Sequence, residues 1–344
     1  MARLRRVTSE APGITRVRRG RGFSYEVNGR TLTDEETLAR LKALAIPPAW
    51  SDVWICRDPL GHLQAVGTDA AGRRQYRYHD RWRDRRDARK FDRMLAFAHR
   101  LPALRDRVAH DLALEDLPRD RALAAAVRLL DLASFRVGSE TYARQNGSYG
   151  LATLRREHVR VSGDVIAFDY PAKSGKRRRA EVRDPDLAPV FRRLKRRRDG
   201  HGELLAYRQG TTWRDVRSAD VNGYVKDAAG EEFTAKDFRT WHGTVLAAVA
   251  LSAEPVPGSQ TARRRIMTAA VNDVATFLGN TPAVARASYV DPRVFDRFEQ
   301  GRTIEAALRS SLEPADTLST PALRDAVEAA VLELLEEPVQ ALVA

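Results

Sequence analysis

Sulfur chemistry is nearly closed to this chain: 344 residues hold one cysteine, Cys56. That excludes an internal disulfide framework and suits a reducing cytoplasm. Long apolar runs are also missing. The longest, such as Thr244 to Ser252, are too short to span a bilayer, and the basic start MARLRRVTSEAPGITRVRRGRG has no apolar core of signal-peptide length. A soluble cytoplasmic protein without a membrane partner is expected. No cluster of carboxylates and histidines shows ligand spacing, which disfavours a metal-dependent nuclease and predicts neither metal nor other cofactor. Nor is there a Walker motif: the glycine of PAKSGKRRR lacks the required spacing and the following helix. Internal repeats are absent, as are low-complexity segments beyond charge clusters.

What is abundant is positive charge. Lys+Arg number 59 against 46 Asp+Glu, a net of +13, and arginine dominates over lysine. The guanidinium fork matches phosphate oxygens bidentately, so an anionic partner fits. The charge is uneven. Residues 303–344 carry eight carboxylates against two arginines, a net of −6, which leaves +19 on residues 1–302. Charge alone favours nucleic acid only modestly, because many arginines in such a composition are solvated helix faces.

With 43% hydrophobic content the chain can bury a sizeable core, and its length predicts two domains. The expected class is α+β. Residues 1–88 predict a small antiparallel sheet with a helix: Phe23 to Val27 and Arg30 to Leu32 flank an Asn28-Gly29 hairpin turn. Thr33 with Glu36 forms a capping-box pattern before a helix that Pro47-Pro48 stop. Asp52 to Cys56 and His62 to Gly67 predict a second strand pair. A charged stretch from Arg81 to Arg93 follows, with the domain boundary expected near residue 88. Residues 89–344 predict a mainly helical domain, with helices over 101–111, 119–134, 186–198, 214–228, 234–252, 261–278, 282–289, 292–300 and 320–336. Within it, His158 to Val182 alternates like strands, with Pro171 to Lys176 as the exposed tip of a hairpin.

Five residues in chain order supply what phosphoryl transfer needs: Arg136, Lys173, Arg239, Asn280 and Tyr289. A phenol has an unperturbed pKa of about 10, so a nucleophilic tyrosine needs cationic neighbours and an aligned, charged acceptor. Arg136 follows an apolar helix and precedes Gly138, where a phosphate can approach closely. Lys173 is presented from a β-turn; its neighbours Lys176, Arg177, Arg178 and Arg179 are expected to contact a nucleic-acid backbone or to be solvated. Arg239 and Lys236 lie near the N-terminus of an amphipathic helix, in conflict with its dipole unless an anion sits there; an ion pair with Asp237 is the simpler account. His242 is assigned no function beyond core or cap. Tyr289 closes a short helix opened by Thr281-Pro282.

The segments IPPAWSDVWIC, GHLQAVGTDAAGRRQYRYHDRW, FRVGSETY, AKSGK, KDFRTWHGT and LGNTPAVARASY, in this order, resemble the small bacterial and poxvirus-like type IB DNA topoisomerases over roughly residues 40–300. The resemblance implies Tyr289 as nucleophile, Arg136 and Arg239 as phosphate clamps, and Lys173 as general acid. Asn280 stands where many members have a histidine; an amide donates a hydrogen bond but carries no charge. Also implied are a 3′-phosphotyrosyl intermediate, relaxation of supercoiled duplex DNA without ATP or metal, and a monomer working at the nucleoid. The amino-terminal lobe is implied to close on the duplex as a clamp hinged near Arg81 to Arg93. Gln75, Tyr76 and Tyr78 fall where the family contacts DNA, with Arg73, Arg74 and Arg77 as phosphate contacts; strand alternation puts the two tyrosines on one face. Tyr142 and Lys236 are further DNA-binding candidates, and FRVGSETYARQNGSYG is a candidate reading helix. A tyrosine site-specific recombinase shares the Arg, Lys, Arg and Tyr constellation, and a non-enzymatic basic DNA-binding protein shares the charge.

Overall fold

The computed structural model describes residues 3–198, 202–253, 255–306, 308 and 321–337. The fold is α+β. It divides into two compact units, Met1–Asp92 and Arg93–Ala344.

The first unit is a six-stranded antiparallel sheet in the order β3-β2-β1-β4-β5-β6 with one short helix. β1 (Ile14–Arg19) pairs with β2 (Gly22–Val27), which turns through Asn28 and Gly29, at φ 51° and 76°, into β3 (Arg30–Thr31). Two successive positive φ values make this the primed turn whose twist matches a hairpin. Helix α1 (Glu35–Ala43) buries Leu41 against Ile14, Val53, Ile55 and Ala65, with Val53 and Ile55 from β4 (Ser51–Ile55) and Ala65 from β5 (Leu63–Thr68). The cap of α1 is Asp34, whose carboxylate accepts from Thr37 N at 2.8 Å, and not the Thr33–Glu36 box expected from sequence. A carboxylate one residue later suits the positive end of the helix better than a hydroxyl. β6 (Arg74–Tyr78) forms an edge, paired only with β5 among the described strands.

The charged stretch Arg81 to Arg93 lies within a continuous helix, α2 (Asp80–Leu112), which also carries Pro102 in its interior. The division between units falls inside this helix, at Asp92/Arg93.

The second unit is mainly helical. Helix α3 (Arg119–Ala133) is buried nearly all round, its small Ala122, Ala124, Ala125 and Ala126 letting neighbours approach closely. β7 (Val159–Ser162), β8 (Val165–Pro171) and β9 (Arg177–Arg183) form a three-stranded antiparallel sheet, and a single 3-10 turn, Lys173–Gly175, joins the last two. After α4 (Glu140–Asn146) and α5 (Leu187–Arg196), the helix expected over 214–228 begins only at Ser218, as α6 (Ser218–Ala229). Thr212–Asp215 is instead a strand paired with Ala206–Gln209, and this hairpin packs on α3. Pairing with Ala206–Gln209, which packs on α3, overrides the weak helical pattern.

Three elements position the site. Helix α7 (Ala235–Leu251) starts at Thr234 with Asp237 closing a capping box. Helix α8 (Gln260–Leu278) ends at Gly279 with φ 62°, and α9 (Pro282–Tyr289) starts at Thr281 with proline in its first turn. The last helix, Pro321–Glu336, packs on α7.

Candidate active site

Tyr289 is the last residue of α9, half-buried against α7. The approach is close because position 243 is glycine: a Cβ there would lie 2.5 Å from Tyr289 O and 3.2 Å from Tyr289 Cβ. Thr244 adds a hydrogen bond from Oγ1 to Tyr289 O at 3.4 Å.

Arg239 rises from the second turn of α7 and is 3% exposed. It pairs with no carboxylate among the described residues. Asp237 is taken up by its own helix cap and by Arg93 at 2.7 Å, so the simple ion pair does not form. Arg239 donates instead to two carbonyls, Ser134 O at 2.6 Å and Leu278 O at 2.9 Å. Its Cζ lies 5.1 Å from the centre of the Tyr289 ring. Burial, then the nearby Arg136, pull this guanidinium down to about 10, while Tyr289 acts in the opposite direction.

Arg136 follows the end of α3 and is fixed from its own backbone. Leu151 N and Ala152 N donate to Arg136 O and Val137 O, both at 2.8 Å. Gly138, at φ 93°, faces Gly150 so closely that neither tolerates a side chain. Arg136 donates to Gly279 O at 3.1 Å and to Asn280 Oδ1. That second bond sets the amide's orientation, because a guanidinium only donates. Asn280 Nδ2 is left buried and without a hydrogen-bond partner among the described residues, a donor held ready for an acceptor.

Lys173 is exposed at the turn between β8 and β9. It shares with Arg136, Arg239, Tyr289, Tyr142 and Lys236 the wall of one cavity of about 410 Å³, which no carboxylate among the described residues lines. Tyr142 comes from the short helix α4 (Glu140–Asn146). This helix is tethered by Glu140, which accepts from Ser218 N at 2.7 Å and Ser218 Oγ at 3.0 Å. A second phenol, Tyr170, adjoins the same arginines but is 2% exposed, and burial pushes it up to about 12. Tyr170 is thereby kept out of the cavity that Tyr289, Tyr142 and Tyr149 line.

A family model described as the catalytic core of eukaryotic DNA topoisomerase I matches residues 79–310, and one for the N-terminal domain of bacterial DNA topoisomerase IB matches residues 22–69. DNA topoisomerase 1B of Acanthamoeba polyphaga mimivirus is 31% identical over 295 residues, 81% of this chain and 85% of that protein. The chain belongs to the type IB DNA topoisomerases. Monkeypox virus DNA topoisomerase I and vaccinia virus (strain Copenhagen) DNA topoisomerase 1B are each 26% identical over 140 residues, 39% of this chain and 44% of theirs. As a topoisomerase the protein is an enzyme that acts on DNA. No helix among the described residues is long and apolar enough to cross a membrane.

The topoisomerase's sequence-predicted DNA contacts in the first unit gather on and beside β6. Tyr76 and Tyr78 stack at 6.2 Å with an 18° interplanar angle, and Tyr76 is 49% exposed. Gln75 donates to Asp69 at 2.8 Å and Arg73 pairs with the same carboxylate at 2.8 Å, whereas Arg74 reaches Ser9 Oγ at 3.2 Å.

One basic residue beside the hairpin tip departs from expectation. Arg178 is half-buried and not simply solvated: it donates to Ala133 O at 2.7 Å, packs over the Phe135 ring at 5.3 Å, and burial lowers its pKa. It adds a further cation behind Arg136. Arg177 and Arg179 both turn to Asp169. The alternation of β9, which turns Arg178, Ala180 and Val182 inward, is the signal that separates Arg178 from its neighbours. Gly243 also escapes sequence reading, because nothing local marks the helix glycine that α9 rests on.

Proposed function

We propose that this topoisomerase relaxes supercoiled duplex DNA by cutting and resealing one strand through Tyr289. The phenol oxygen attacks a backbone phosphodiester as it gives up its proton. A 3′-phosphotyrosyl bond forms, the bond to the 5′ oxygen breaks, and Lys173 protonates that leaving oxygen. Arg136 and Arg239 stabilise the charge that builds on the non-bridging oxygens, and Asn280 Nδ2 supplies one more hydrogen bond. The energy of the broken ester is retained in the tyrosyl linkage, so neither ATP nor metal is needed. Religation is the reverse attack, and torsional strain drives rotation between the two steps. Gln75, Tyr76, Tyr78, Arg73 and Arg74 contribute duplex contacts, and the enzyme works as a monomer on the nucleoid in the cytoplasm.

The observation that carries this reading is the cavity in which four cations surround a half-buried tyrosine with no carboxylate among its lining residues. Like charges held together and partly desolvated call for an anion. Dilute protein incubated with supercoiled plasmid in EDTA, without ATP, should relax it. Tyr289→Phe should bind DNA but neither relax it nor form the covalent adduct. A phenylalanine variant that still relaxes plasmid would reassign the nucleophile, and a strict need for paired sites would replace relaxation with recombination.

A further inference from the structure

The carbonyl that holds Arg239 belongs to a residue in an uncommon backbone state. Ser134 ends α3 at φ 48° and ψ 41°, the left-handed region in which glycine is the usual choice and a Cβ is unfavourable. Were the turn only a helix stop, glycine would serve it with less strain. The serine side chain is fully buried, and its Oγ lies 2.8 Å from His242 Nδ1. The other ring nitrogen, Nε2, is buried with no hydrogen-bond partner among the described residues, and Asp131 Oδ1 lies 3.4 Å from it, at ion-pair distance. Asp131 is gripped in turn by Arg105, at 2.9 and 3.0 Å, and by Arg324 at 3.0 Å. His242 follows Arg239 by three positions on α7, so both side chains face the end of α3.

We infer that Asp131, His242 and Ser134 form a positioning relay that sets the Arg239 guanidinium at the phosphate. With Nε2–H turned to the carboxylate, Nδ1 is left to accept the Ser134 hydroxyl. The hydroxyl bond holds the left-handed turn, and the turn aims Ser134 O at Arg239 Nη1. None of the three relay residues lines the cavity, so they act through Arg239 and not on DNA. The anchoring cation Arg324 comes from the last helix, which the relay thereby ties to the chemistry. The relay presupposes the phosphate-clamping role proposed above for Arg239.

The test is single-turnover cleavage of a labelled duplex, with DNA affinity and thermal midpoint measured alongside. His242→Ala and Ser134→Ala should each slow cleavage about tenfold while DNA affinity holds. Ser134→Gly relieves the backbone strain, so it should keep or raise the thermal midpoint and still slow cleavage; a purely structural role would leave the rate intact. In an Arg239→Lys background, adding His242→Ala should cost nothing further, because both act through one guanidinium. Full additivity in that background, or an unchanged rate in the Ser134 and His242 single variants, overturns the relay alone. If Arg239→Lys itself cleaves normally, the clamp assignment fails and the relay falls with it.

Discussion

Arg239 shows why partner type matters more than charge count. A buried guanidinium bound only to carbonyls keeps its full positive charge, whereas one paired with a carboxylate would be neutralised before substrate arrived. Arg239→Ala should slow cleavage by about a hundredfold or more, the usual loss for one transition-state donor, read in single-turnover assays. At Asn280 the expected order of variants follows from which amide atom faces which partner. Asn280→Ala loses the free Nδ2 donor. Asn280→Asp keeps an acceptor for Arg136 but turns an oxygen toward the phosphate, so its cleavage should fall below that of Asn280→Ala. Both residue types stand out in the sequence, since Arg and Asn in these motifs suit the proposed phosphoryl transfer. That Arg136 orients the amide is not readable, because the two meet across 144 positions.

Among the elements, α7 supports most of the site, and its glycine sets how closely α9 can lie. Gly243→Ala would push a methyl group into Tyr289 O at 2.5 Å. It should cost about 1–3 kcal/mol of stability, the range for overpacking, and slow cleavage more than it weakens DNA binding. The helix Pro321–Glu336 is joined to the rest of the second unit through charge. Arg105 bonds Asp131, Asp325 and Glu328 together, so Arg105→Ala should destabilise by about 3 kcal/mol or more, the cost of stranding buried carboxylates, as measured by denaturant unfolding. Burial pushes Asp131 up, but His242, Arg105 and Arg324 outweigh it and hold its carboxyl well below the usual range. Its stabilisation is then complete above the unfolded value near about 4 and fades as pH falls toward the folded one. The gap in thermal midpoint between the wild type and Asp131→Asn should therefore shrink between about pH 6 and about pH 3. Strong local signals made several elements legible, such as Asn28-Gly29 for the first hairpin and Thr281-Pro282 for the start of α9. Thr212–Asp215 was not, because its strand exists only as a partner for Ala206–Gln209 on α3.

For the whole molecule, a net charge of +13 overstates what is offered to DNA. Arg16 is spent on the carbonyls of Ile46, Pro47 and Trp50, Arg40 on Cys56 O, and Arg297 on Leu334 O. These are struts, and only exposed arginines add to the salt dependence of binding. Arg74→Ala should reduce the slope of log affinity against log salt by about 1, while Tyr76→Ala weakens binding at every salt concentration without changing that slope. The motifs in their order were enough to place the chain in its family by resemblance, and the hydrophobic and turn patterns to give the α+β class, because both are carried by local sequence. Which cation faces the cavity, which phenol stays accessible, and that a carbonyl in a left-handed turn holds Arg239 were decided only by tertiary structure. Burial and partner geometry arise between segments tens to more than a hundred residues apart, as for Arg239 with Leu278 and with Ser134, and local pattern encodes little of them.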